Sequence, residues 1–225
     1  MSNAPVSSSP GITSPSDSTE KSPKDVAVPG NRYVLFFCLM IMGAGLDLWT
    51  KSYAFANYYS PELAVQGFPQ TPHWWVEGIF GLQTSHNPGA LFGLGAGYSW
   101  VFAAISIGAL IGIACWMFVW RAGCDRWLTV ALGLVSGGII GNLYDRVGWG
   151  YIQGFPEAVR DNVRDWILFR LEGVPFFDPW PNFNIADSLL VVGAILLFLH
   201  ALCSQVPESA EPSPNSGDEE PTAQV

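Results

Sequence analysis

Along this chain, long runs without charge alternate with short polar segments, and the run lengths set the first expectation. A hydrocarbon core about 30 Å thick takes roughly 20 mostly apolar residues as a helix. Four stretches meet that length: 33–52 (YVLFFCLMIMGAGLDLWTKS), 98–120 (YSWVFAAISIGALIGIACWMFVW), 127–144 (WLTVALGLVSGGIIGNLY) and 186–203 (ADSLLVVGAILLFLHALC). Trp49, Trp100, Trp120, Trp127 and Trp149 lie at or near their ends, where interfacial aromatic belts sit. The pattern predicts an all-α membrane protein with four transmembrane helices. The first stretch also competes with a cleavable signal peptide, because its strongly apolar part spans 14 residues and Ala54-Phe55-Ala56 follows. The 32 residues before it, and Asp47 and Lys51 between the apolar run and that triplet, favour a retained span.

Composition agrees: 49% of residues are apolar and only 13% charged, against about a quarter in soluble domains. The net charge of −9 owes much to residues 204–225, where Glu208, Glu211, Asp218, Glu219 and Glu220 meet no Lys or Arg. That acidic segment and the Ser/Pro-rich segment 1–32 are expected to be disordered tails flanking one membrane domain, 33–203. Neither tail has the positive charge density that would favour nucleic acid. Cys38, Cys115, Cys124 and Cys203 form no metal-binding spacing, and His73, His86 and His200 are scattered, so neither metal nor cofactor is expected.

Four spans put both termini on one side. Segment 53–97 contains no Lys or Arg, which predicts its translocation and cytoplasmic termini; Arg146, Arg160, Arg164 and Arg170 in 145–185 weigh the other way. On this topology the polar residues converge on the outer face: Asp47 and Lys51, Asn87, Asn142, Asp145 and Arg146, Asp165, then Asn184 and Asp187. Each has an ordinary explanation taken alone, such as a snorkelling Asp47–Lys51 pair, an Asp145–Arg146 ion pair, or helix capping by Asp187. A transporter would place polar groups near mid-membrane, which spans two and four lack. Without a Ser/His/Asp set or a phosphate loop, the chemistry left is two carboxylates sharing a proton around one water, able to hydrolyse a peptide bond.

LDLWTK, HNPGALFGL, GGIIGNLYDRV, VRDW and FNIADS, in that order across four spans, resemble the bacterial lipoprotein signal peptidase, or signal peptidase II, family. The resemblance covers residues 33–203. It implies a membrane aspartyl endopeptidase of the cytoplasmic membrane that needs no cofactor. Its expected partners are membrane lipids and diacylglyceryl-modified prolipoproteins, cut just before the lipidated cysteine, and it is expected to act as a monomer. It also implies a small outer-face β-cradle, mostly from 53–97, and a short interfacial helix. The family's catalytic pair, one Asp in a V-x-D-F-like motif and one in N-x-A-D, falls on Asp165 and Asp187. Asp47, Lys51, Asn87, Asn142, Asp145, Arg146, Asn184 and Ala186 match its supporting positions. One departure stands out: Asp145 and Asp165 are 20 positions apart, which implies an insertion around 148–163 and makes Asp145 and Asp161 rivals to Asp165. The spacing onward to FNIAD leaves room for a short hairpin at Gly173-Val174-Pro175. Two other classes remain open: a non-enzymatic lipid or lipopeptide binder, and a small transporter.

Overall fold

The computed structural model describes residues 27–89, 95–153, 155–175, 178 and 180–204. The disorder expected of the tails, and Ala90–Leu94 of the HNPGALFGL motif, lie outside those residues, except at the tails' inner edges. There the boundary moves: residues 30–32, assigned above to the first tail, form the opening turn of helix α1 (Gly30–Tyr58). Pro29 precedes it with extended backbone, as suits a residue without an N–H to satisfy. At 29 residues, α1 is about 44 Å long and outruns a bilayer core. It therefore continues six residues past the expected end at 52 and carries Ala54 and Phe55 into a core with Leu82. The supposed cleavage triplet is thus helical, and two of its residues are buried.

A short helix, α2 (Pro61–Val65), follows at once, with Pro61 in its first turn and Ser60 Oγ accepting from Leu63 N. The remaining long helices are α3 (Ser99–Ala114, prolonged by a π-helical turn to Val119), α4 (Arg126–Arg146) and α5 (Ile185–Cys203). With α1, all four are long and apolar enough to cross a membrane. Asp125 caps α4 through Oδ1, and its Oδ2 lies 2.8 Å from His200 Nε2, tying α4 to α5 at the bundle end opposite the site.

Helix α4 is the hub on which α1, α3 and α5 pack. Small residues make that possible. A Cβ at Gly138 would run into the Ala186 carbonyl, and one at Gly141 into the Asp47 carboxylate. The GGIIGN run is thus the surface that lets two other helices come close.

At one end of the bundle lies a three-stranded antiparallel sheet, ordered β1 (His73–Val76), β2 (Phe80–Asn87) and β3 (Val163–Phe169). Two strands come from the expected cradle segment 53–97; the third, VRDWILF, comes from outside it. Gly173 makes a turn with φ 74°, but no hairpin strand forms at 173–175. Instead the returning chain meets β3 at a single bridge, Phe183 with Ile167. The insertion crosses the end of the bundle as a strap. Ser99 Oγ donates to the Asp161 carbonyl at 2.6 Å, and Phe155 packs on Tyr59 with ring centres 4.3 Å apart.

Candidate active site

Four aspartates meet where α1, α4, α5 and β3 converge, and they are held in two different ways. On α1, Asp47 and Lys51 are one turn apart and fully buried, with Lys51 Nζ 2.7 Å from Asp47 Oδ2. Lys51 does not snorkel. It crosses to α4, donating to Asn142 Oδ1 at 2.9 Å and pairing with Asp145 Oδ2 at 3.2 Å. Asp47 uses its other oxygen to accept from Ala186 N at 2.9 Å, which fixes the first turn of α5. Asp145 does not pair with its neighbour Arg146. Its partner beyond Lys51 is Arg164 of β3, whose Nε and Nη2 lie 2.9 and 2.8 Å from Oδ1 while its backbone N donates to Oδ2. Two anions and two cations close this cluster, as burial of charge requires.

Asp165 and Asp187 are held by amides. Asn184, fully buried, is the N-cap of α5: its Oδ1 accepts from Asp187 N, and Asp187 Oδ2 accepts from Asn184 N, a reciprocal capping box. Asn184 Nδ2 reaches both Asp165 Oδ1 at 2.6 Å and Asn142 Oδ1 at 3.1 Å. Asn142 Nδ2 donates to Asp187 Oδ1 at 2.8 Å, and Asn87 Nδ2 to Asp165 Oδ2 at 3.1 Å. Asp187 therefore does cap α5, and it also joins Asp165 through a bridge of two amides, Asn142 and Asn184, while Asn87 holds Asp165 from the other side. The bridge meets the ionic cluster at Asn142 Oδ1, which accepts from Lys51.

Register explains how β3 serves both sets. Arg164 and Asp165 are successive strand residues and point to opposite faces, one to the ionic cluster and one to the amide bridge. Asp165 is 1% exposed, and burial, then the nearby Asp187 charge, pushes its pKa up to about 8. The Lys51 charge and the bonds from Asn87 and Asn184 act against that rise. Asp187 is half-buried and lines a cavity of about 380 Å³ that opens between α3 and α5. Its walls include Phe102, Ile105 and Leu190, with Asn142 and Arg146 on the α4 side. A second, apolar cavity of about 350 Å³ adjoins Asp187 along α5, lined by Trp180, Phe183, Val191 and Val192.

Of the rivals to Asp165, Asp145 is committed to two cations, and Asp161 is exposed. Arg146 contacts neither carboxylate directly. Its Nη2 donates to the Gly89 carbonyl at 3.1 Å and its guanidinium lies over Phe102, bracing the Asn87-Pro88-Gly89 turn. His86, beside Asn87, is enclosed by Phe55, Tyr59 and Phe155; burial lowers its pKa to about 4, leaving it neutral near pH 7. Sequence reasoning missed Arg164 and Gly150. A Cβ at Gly150 would collide with the Asp145 carboxylate. The only signal for Arg164 was a cation directly before the favoured aspartate.

The family model described as signal peptidase (SPase) II matches residues 39–203. A Rhodopirellula baltica protein named lipoprotein signal peptidase is 49% identical over 177 residues, spanning 78% of this chain and 74% of its own. A Rhodococcus jostii protein of the same name is 32% identical over 181 residues, spanning 80% of this chain and 79% of its own. A solved bacterial membrane enzyme superimposes with a TM-score of 0.59 at 24% identity, covering 83% of this chain and 96% of that one, a likeness of fold. With four apolar helices around this aspartate cluster and a family match over most of its length, the chain belongs to the signal peptidase II family.

Proposed function

We propose that this protein is a membrane aspartyl endopeptidase that removes the signal peptide from diacylglyceryl-modified prolipoproteins just before the lipidated cysteine, with Asp165 and Asp187 as its catalytic pair. The observation that carries this reading is the contrast within the site. Asp165 and Asp187 are bridged by amides and, among the described residues, make no ion pair.

In this reading Asp165 holds the proton near neutral pH, since its pKa stands at about 8. The Asp187 carboxylate takes a proton from water as the water oxygen bonds to the scissile carbonyl carbon. Asp165 gives its proton to the carbonyl oxygen, forming a neutral tetrahedral diol. As the diol collapses, one hydroxyl proton returns to the pair, the carbon–nitrogen bond breaks, and the pair delivers a proton to the departing nitrogen. One shared proton remains, as at the start. Asn142, Asn184 and Asn87 orient the carboxylates, while Asp47, Lys51 and Asp145 hold the helix ends on which they sit.

Access favours a lipid-anchored substrate. The cavity over Asp187 opens sideways between two apolar helices, and the adjoining apolar cavity has walls suited to acyl chains. The lack of Lys and Arg in segment 53–97 supports an outer-face site with cytoplasmic termini. The test uses purified protein in lipid nanodiscs with one precursor in two forms, with and without the diacylglyceryl group. Cleavage of the modified form alone, lost in Asp165→Asn, is expected; a binder would keep its affinity and never produce the two fragments. Wild-type turnover by Asp165→Asn would falsify the assignment.

A further inference from the structure

Trp180 lines three separate cavities: the one over Asp187, the apolar one along α5, and a groove of about 620 Å³ on the sheet. Pro181 and Asn182 also line both the Asp187 cavity and the sheet groove, so the segment 180–182 is a partition between the carboxylates and that groove. The groove differs in lining from the apolar cavity along α5. Gln70, Thr71, Gln83, Asn182 and Arg170 line it, and Arg170 is the one charged residue among the described residues there.

An amide chain fixes its floor. Gln70 exchanges two bonds with the backbone of Ser60, Gln83 Nε2 donates to the Gln70 carbonyl at 2.6 Å, and Asn182 Nδ2 donates to the Gln83 carbonyl at 2.6 Å. Arg170 is partly exposed, and its ion pair is long, Nε to Asp178 Oδ1 at 3.5 Å, which engages one edge of the guanidinium. A guanidinium forks to two acceptors, and among the described residues Arg170 pairs with no carboxylate but Asp178.

Resting on the peptidase reading above, we propose that this groove binds the polypeptide downstream of the cut and prefers an acidic side chain there. A precursor has an apolar signal helix, two acyl chains and a hydrophilic mature chain, and the third suits a groove that lies on the sheet, away from the apolar helices, and mixes Pro69, Pro72 and Leu168 with amides and a lone cation. Distance sets which residues reach it. From Asp165, Leu168 is three positions along β3 and Arg170 five positions on, one past the strand's end, about 10 to 17 Å. An extended substrate covers that span with roughly the third to fifth residues past the scissile bond.

The experiment uses the full chain in nanodiscs and four diacylglyceryl-modified precursor peptides. Three carry Glu, Gln or Lys at the third to fifth mature positions, and the fourth stops after the first mature residue. Wild type is expected to favour Glu over Lys by about three- to tenfold in kcat/KM, through KM, with Gln between. Arg170→Glu should invert that order while cutting the truncated peptide at the wild-type rate. The same Glu-over-Lys order in both proteins, no order in wild type, or an equal loss on the truncated peptide overturns the groove's role alone. Failure of wild type to cut any peptide, the truncated one included, overturns the peptidase reading and the groove's role with it.

Discussion

Two pairs of aspartates share one end of this bundle, and their surroundings differ in kind. Asp47 and Asp145 have cationic nitrogens within 3.2 Å. Among the described residues, Asp165 and Asp187 have only amide donors at comparable distances. A cation beside a buried carboxylate offsets its charge, whereas an amide bonds a carboxylate and brings no opposite charge. The first pair thus works as a clamp on α1, α4 and β3, and the second is equipped to exchange protons. Asn142 joins them, accepting from Lys51 and donating to Asp187. The largest test of this division is on rate. Asp165→Asn and Asp187→Asn should each lower kcat by about 10²–10⁴ or more while the protein inserts and unfolds as before, checked by single-turnover cleavage and a thermal scan. Loss of folding with either variant would break the comparison.

The clamp should fail in the opposite sense. Lys51→Met leaves Asp47 buried without its cation and Asp145 with one fewer, so stability should fall by about 3–5 kcal/mol, seen as a lower Tm in nanodiscs. A Lys51→Met protein of unchanged Tm but altered pH–rate profile would move Lys51 into the titrating pair. Arg164→Lys should do less, about 1–2 kcal/mol, because it keeps the charge on Asp145 and loses only the two-nitrogen contact.

The two regions were not equally legible in the sequence. The four helices were, because a span of apolar residues is a one-dimensional signal; only their ends moved, as when α1 ran on past 52 to bury Phe55. That Asp47, Lys51, Asn142, Asp145, Asn184 and Asp187 gather at one end followed from the alternation of helices. Which aspartate pairs with which cation did not follow. Asp145 looked like a partner for Arg146, but the last turn of α4 points those neighbours apart, and Arg164 arrives from a strand 19 positions on. The third strand was equally hidden, since VRDWILF reads as a strand only once β2 is there to pair with it.

The smallest expected effect is the most discriminating, because it asks whether Asp165 titrates. Its pKa stands near 8, raised by burial and the Asp187 charge, so the native state holds that proton more tightly than the unfolded chain does. The resulting stability is fully present below the ordinary carboxylate range and is lost as pH rises through about 8. In the same window the pair loses its shared proton, so cleavage should decline on the alkaline side. Asn87 donates to Asp165 Oδ2 and favours the ionised form. Asn87→Ala removes that preference, and the alkaline limb of kcat/KM should move upward by about one pH unit. The loss of Tm between neutral pH and pH 9 should move with it, and should weaken in Asp165→Asn. A limb that stays in place or moves down would mean that another group governs the alkaline loss, and the division between clamp and titrating pair would then have to be drawn elsewhere.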